Sequence, residues 1–98
     1  MRGLIEGLNK NFESRIRLGI MSALMVNDSL DFNNLKELLK VTDGNLASHI
    51  KALEKNEYIS VNKQFIGKKP NTTYSATAFG KIEFSNHLDA LEKLIKGS

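Results

Sequence analysis

Apolar residues recur along this chain at two different spacings, and the change of spacing marks out its elements. Leu8, Phe12, Ile16, Ile20 and Ala23 return every three or four positions, which predicts a first helix from about Asn9 or Asn11 to Met25. Leu18, Met21 and Met25 form a second apolar strip on another side of it. A helix apolar on two faces is either central to its own fold or shared with a second subunit. Asn27-Asp28-Ser29 is a turn cluster, Leu30 suits a brief strand, and Asp31 is a suitable N-cap for a helix from Phe32 to Lys40 that buries Phe32, Leu35, Leu38 and Leu39. Thr42 caps a third helix running to about Lys55 or Asn56, with Leu46, Ile50 and Leu53 facing the core. Only Val41-Thr42 separates these two helices, so residues 32–56 read as a tight helix-turn-helix.

Beyond Asn56 the period shortens to two. Tyr58-Ile59-Ser60-Val61 reads as a strand, Gly67-Lys68-Lys69-Pro70-Asn71 as a turn holding the only proline, and Thr72-Thr73-Tyr74-Ser75 as the return strand of a hairpin over residues 58–76. Thr77 caps a last helix to about Lys96. In that helix Phe84, Leu88, Leu91 and Ile95 fall at spacings of four, three and four, with Leu94 on the flank. Two heptads are too short to hold a coiled coil alone. Joined to Leu18, Met21 and Met25, they predict an interface between two copies of the chain; the alternative is that the stripe folds back onto its own core. The expected class is α+β, mostly α with a small β-hairpin, in one domain over residues 1–98.

Composition changes this picture little. At 41% hydrophobic and 26% charged residues the chain is ordinary for a globular protein. No apolar run approaches the ~20 residues that span a bilayer, and a charge at Glu6 interrupts what would be the apolar part of a signal peptide. With no cysteine, disulfides and thiolate metal sites are excluded, and cytoplasmic residence is expected. No P-loop, nucleophile elbow, dinucleotide fingerprint or H-E-x-x-H motif is present, so no catalytic residues, cofactor or metal are expected. His49 and His87 are the only histidines; His87 near Glu83 and Asp89 lacks a second histidine at helical spacing, which makes it an interface or surface residue rather than a ligand.

Charge changes it more. Residues 60–82 hold Lys63, Lys68, Lys69 and Lys81 and no acid, while the remaining ten basic and eleven acidic residues nearly cancel. A positive excess concentrated on one hairpin suits a polyanion. At about 100° per residue, the face of the third helix opposite its core carries Gly44, Ser48, Lys51 and Lys55, flanked by Asn45, Ala47 and Ala52. Small and polar side chains suit a helix that enters a groove about 12 Å wide. Asn45 and Ser48 are the candidates for base edges, Lys51 and Lys55 for phosphate or guanine, and Gly44 for close backbone approach; Thr42 and Ala47 belong to the same DNA-facing set, and His49, nearer the core flank, suits backbone contact or packing rather than base reading. The hairpin adds Lys63, Lys68 and Lys69, with Gln64, Asn71, Thr72 and Thr73 as hydrogen-bonding groups. Asp43 reads as a stabiliser of the helix start, or as an acceptor from cytosine. Phe65 and Ile66 beside the tip are expected to pack back onto the domain. RNA is a weaker partner, since Tyr58 and Tyr74 are expected to face the core and leave no exposed stacking aromatic.

Two segments resemble a known family. Residues 46–55, Leu-Ala-Ser-His-Ile-Lys-Ala-Leu-Glu-Lys, look like the recognition helix of the ArsR and MarR regulators, and residues 72–81, Thr-Thr-Tyr-Ser-Ala-Thr-Ala-Phe-Gly-Lys, are similar to their second wing strand and the Thr-x-x-Gly element after it. The resemblance spans residues 11–96. It implies a winged helix-turn-helix, a homodimeric DNA-binding transcriptional regulator, and terminal helices paired across a two-fold axis; repression is the expected role, and a two-fold dimer calls for a near-palindromic operator. A small-molecule effector is compatible with it, though no pocket signature is present. The chain departs at Glu57, where the family usually has glycine; Asn56 is expected to take a left-handed conformation and cap the helix instead. The rival reading is a winged helix used for protein–protein contact.

Overall fold

A computed structural model describes residues 4–97. Two 3₁₀ turns, Leu4–Gly7 and Lys10–Phe12, precede α1 (Arg15–Val26); β1 (Leu30–Asp31), α2 (Phe32–Leu39), α3 (Asp43–Lys55), β2 (Ile59–Ile66), β3 (Lys69–Ala76) and α4 (Ala78–Lys96) follow. The three strands form an antiparallel sheet in the order β1-β3-β2. This is the four-helix, one-hairpin α+β architecture the periodicities predict.

The caps are those the sequence offers. Asp31, Thr42 and Thr77 each accept a backbone N–H three residues on, from Asn34, Asn45 and Gly80. The first helix differs from expectation. It begins only after Ser14, whose Oγ accepts from Arg17 N, and Phe12 reaches the core from a 3₁₀ turn. Phe12 and Ile16 are four apart on different elements, so their shared burial imitates a helical period.

Phe12, Ile20, Leu24, Leu35, Leu46, Leu53 and Phe84 are buried at the centre. Phe12 meets Phe84 edge-on at 5.2 Å between ring centroids and Tyr58 at 4.9 Å, within the range aromatic pairs favour. Tyr58 and Tyr74 face this core as expected. Three expectations fail here. Met21 and Phe84, assigned to a subunit interface, lie wholly inside the protomer, because α1 and α4 turn those faces inward. Leu38, assigned to the core, is 60% exposed, because α2 ends at Leu39 and turns only Leu35 fully inward. His87 is buried rather than on the surface: its Nδ1 accepts from Asn9 N at 2.9 Å and its ring packs on Phe12.

Asn56 is the C-cap of α3, but at φ −86; the left-handed residue is Glu57, at φ +63. Tyr58 N donates to Leu53 O and Glu57 N to Glu54 O, which closes a Schellman motif around a residue that is not glycine. A side chain in this conformation costs about 1 kcal/mol. Glu57→Gly should therefore raise the melting temperature by about 4–8 °C, as thermal unfolding followed by circular dichroism would show; an unchanged or lower value would mean that Glu57 makes a compensating contact.

The hairpin is longer than its apolar pattern. The ladder runs from Ile59 opposite Ala76 to Ile66 opposite Lys69, so the turn is Gly67-Lys68 alone rather than residues 67–71. Gly67, at φ +65, occupies the first central position, where a glycine matches the twist of a two-residue hairpin. Pro70 sits within β3, where it faces Phe65 and lies beyond the reach of β1, so its missing N–H breaks no ladder on the other side. The molecule measures 57 × 25 × 21 Å, with a radius of gyration of 14.8 Å, against about 13 Å for a compact chain of this length.

Candidate nucleic-acid interface

On α3, Leu46, Ile50 and Leu53 are buried, while Gly44, Asn45, Ala47, Ser48, Lys51 and Lys55 are exposed. Both sets fall where the 3.6-residue period puts them. Nothing lies within 4 Å of a Cβ built on Gly44, so the first turn of the helix offers bare backbone to solvent. Thr42 is exposed, with its hydroxyl committed to the Asn45 amide.

Asp43 is held by α2: its Oδ1 lies 2.7 Å from Lys36 Nζ. This pair partly offsets the one acid at the leading end of α3 and ties the two helices of the helix-turn-helix together. Both side chains are well exposed, so it adds little to stability.

His49 is half-buried on the flank of α3, and Arg17 Nε donates to its Nδ1 at 3.0 Å. The hydrogen bond braces α3 against α1 and leaves the ring an acceptor. Burial, and secondarily the Arg17 charge, hold the His49 pKa below its usual 6.5. Burial likewise lowers the His87 pKa, with nearby Glu13 opposing. A folded-state pKa below the unfolded one means that the unfolded chain binds more protons as the pH falls. Stability should be full above pH 6.5 and decline below it, until the lowered folded values are passed. Melting curves at pH 7.5, 6.5 and 5.5 test this, and His87→Gln should make the decline shallower; a melting temperature that rises toward pH 5.5 would refute it.

In the hairpin, Lys63, Gln64, Lys68 and Lys69 are exposed, and Asn71, Thr72 and Thr73 half-buried. Lys63 pairs with Thr72 and Gln64 with Asn71 across the ladder. The structure brings the base of the hairpin to α3: a surface groove of about 340 Å³ is lined by Ala47, Lys51 and Glu54 from the helix and by Lys63 and Thr72 from the hairpin. The tip differs from expectation. Phe65 is 73% exposed and Ile66 64%, so neither packs back on the domain. Phe65 is thus an exposed aromatic, where none was expected to be available for stacking on RNA.

Sequence reasoning missed a second depression, of about 640 Å³, where Arg15 of α1 and Lys40 at the end of α2 meet Thr42 and Asn45. Lys40 stands at φ +52, a left-handed C-cap that turns the chain sharply into α3. Both cations are visible in the sequence; that they converge on the start of α3 depends on packing, which no periodicity reports. Among the described residues, no group of three or more His, Cys, Asp or Glu could hold a metal, and no helix is long and apolar enough to cross a membrane.

A tight helix pair with an outward polar face, a basic antiparallel hairpin at its side and a closing helix define a winged helix-turn-helix. The chain belongs to the winged helix DNA-binding domain family, whose model matches residues 16–95. It is 34% identical over 87 residues to an uncharacterized protein of Methanocaldococcus jannaschii, a match covering 89% of this chain and 95% of the relative. Among solved structures it is similar to a transcriptional regulator homologue from Pyrococcus horikoshii OT3, at 35% identity and TM-score 0.79, over 94% of this chain and 96% of that one. A MarR-family regulator from Enterococcus faecalis V583 shares the fold at 20% identity and TM-score 0.68, over 95% of this chain and 76% of that one.

Proposed function

We propose that two copies of this chain bind a near-palindromic DNA duplex and act as a non-enzymatic transcriptional repressor in the cytoplasm, excluding other proteins from the operator. The observation that carries this reading is the groove shared by α3 and the hairpin, with Lys51 and Lys63 at its walls. The exposed face of α3 enters the major groove, with Asn45 and Ser48 near base edges and Lys51 and Lys55 on phosphate or guanine. The hairpin follows the backbone toward the minor groove through Lys63, Lys68 and Lys69. Residues 32–56 act as the helix-turn-helix and residues 58–76 as the wing of one domain, and residues 77–96 as its dimerisation helix.

Leu88, Leu91 and Ile95 form an exposed apolar row along α4, at 40%, 37% and 78% exposure. Leu94, on the same helix, is half-buried beside it, and Leu18 and Met25 of α1 are half-buried against the core. Pairing with a second copy would remove this row from solvent. A two-fold dimer then sets its two α3 helices about 34 Å apart, one turn of DNA. No cofactor is assigned, and an effector has no part in this reading.

Fluorescence anisotropy of labelled random-sequence duplex, followed by selection of bound fragments, tests the proposal. Binding should be firm at low salt and lost at high salt. With three or four phosphates per subunit, log K should fall against log salt with a slope of roughly −5 to −7. On the selected site Ser48→Ala should lose about 1 kcal/mol of discrimination while keeping its affinity for random duplex. Absence of duplex binding at any salt would leave the rival reading, in which the basic hairpin holds an acidic protein.

A further inference from the structure

The far end of the hairpin is apolar. Phe65 and Ile66, the last residues of β2, are both largely exposed, and Pro70, opposite Phe65, is exposed beside them. Lys63, Lys68 and Lys69 surround this end, and residues 60–82 contain no acid. An apolar end flanked by cations and neutral polar groups, with no acid near it, fits a partner with an apolar surface set between rows of negative charge. The minor groove of duplex DNA has that form: deoxyribose walls between two phosphate strands.

The dimensions agree. A minor groove is about 6 Å wide, and paired strands lie about 4.8 Å apart before side chains are added, so a whole ribbon cannot enter but its turn can. Here the turn has two residues, led by a glycine with open space around its Cβ position. The groups that follow it inward are Phe65 and Ile66 on one strand and Lys69 and Pro70 on the other. Neighbouring strand residues point to opposite faces. Phe65 therefore faces one side of the ribbon and Ile66 the other, each toward one wall of the groove. Pro70 fixes its own φ, which stiffens the ribbon where it must push.

We propose that Phe65 and Ile66 enter the minor groove beside each major-groove contact and read its width and deformability, an inference that rests on the reading of the protein as a DNA binder. They act as apolar wedges that favour segments lacking the guanine 2-amino group, at positions the α3 helix does not touch.

The test is anisotropy with the full chain on its selected duplex, comparing wild type with the Phe65→Ala, Ile66→Ala double variant across a salt series. Both side chains lie outside the core, so the melting temperature should not move. Affinity should fall roughly thirtyfold, while the salt slope stays the same, because apolar contacts release no counterions. Replacing guanine by inosine at the flanking positions removes the 2-amino group and leaves the major-groove edge unchanged; this should strengthen wild-type binding and leave the double variant unaffected. Equal affinity for both proteins would overturn the wedge while leaving the DNA-binding reading intact. So would a larger effect on single-stranded DNA or RNA than on duplex, which would assign Phe65 to base stacking, or a change in oligomeric state, which would place the residues at a protein contact. If wild type binds no duplex, the underlying reading fails with it.

Discussion

Gly80→Ala should lower stability by about 3 kcal/mol or more, at or above the upper end of what overpacking usually costs. A Cβ built at Gly80 stands 2.0 Å from Tyr58 O, 2.8 Å from its carbonyl carbon and 3.0 Å from its Cα. These are backbone atoms and cannot rotate away as a side chain would. The first turn of α4 is also tied to the turn before β2: Thr77 N donates to Tyr58 O, the Thr77 hydroxyl lies 2.7 Å from Glu57 O, and Gly80 N donates to Thr77 Oγ1. To admit a methyl group, α4 must lift off the core and draw Phe84 and His87 with it. A chain of this size has about 5–15 kcal/mol in total, so a fall of 12 °C or more in melting temperature is expected. A variant melting within a few degrees of wild type would mean that α4 can slide without loss. Thr77→Ser should be close to neutral, since it keeps the hydroxyl.

Lys68→Ala with Lys69→Ala should have the largest effect on binding. If each lysine neutralises one phosphate and two copies bind as proposed, four contacts are lost and the salt slope becomes shallower by about 3.6. Electrostatic attraction of this kind vanishes near 1 M salt, so the same slope implies a loss of three to four orders of magnitude in affinity at about 0.1 M. The loss should be similar for all sequences, in contrast to Ser48→Ala. The variant should fold as wild type does, because both side chains are exposed and neither takes part in a resolved ion pair among the described residues. Equal salt slopes for the two proteins would show that the hairpin stands off the duplex.

How much of this was legible in the sequence depended on whether one face of an element is buried. α3 was readable nearly to the residue, because Leu46, Ile50 and Leu53 mark its inner face and Thr42 its start. The outer half of the hairpin was not. From Asn62 onward β2 has no buried face, so the ladder holds it through backbone hydrogen bonds that leave no alternation to read. The apolar stripe of α4 was only partly legible for the opposite reason. Phe84 and Leu88 are equally apolar, and only the arrival of Phe12 beside α4 decides that one is core and the other surface. Glu57 shows a third limit. A left-handed residue is expected to be glycine or asparagine, and the two hydrogen bonds of the Schellman motif impose that conformation here on a glutamate instead. For the candidate site, residue types were legible and convergence was not: Arg15, Arg17, Lys36 and Lys40 come to α3 from other helices.

The two-residue turn at Gly67-Lys68 also restricts how such a protein can change in length. Adding one matched pair to the ladder would rotate the end of the ribbon by half a turn and exchange the faces on which Phe65 and Ile66 stand. Adding two pairs would restore them, with a reach longer by about 7 Å. Descendants with extended ribbons should therefore have gained residues in fours, and a pair gained alone should have brought a swap of the aromatic and the branched side chain.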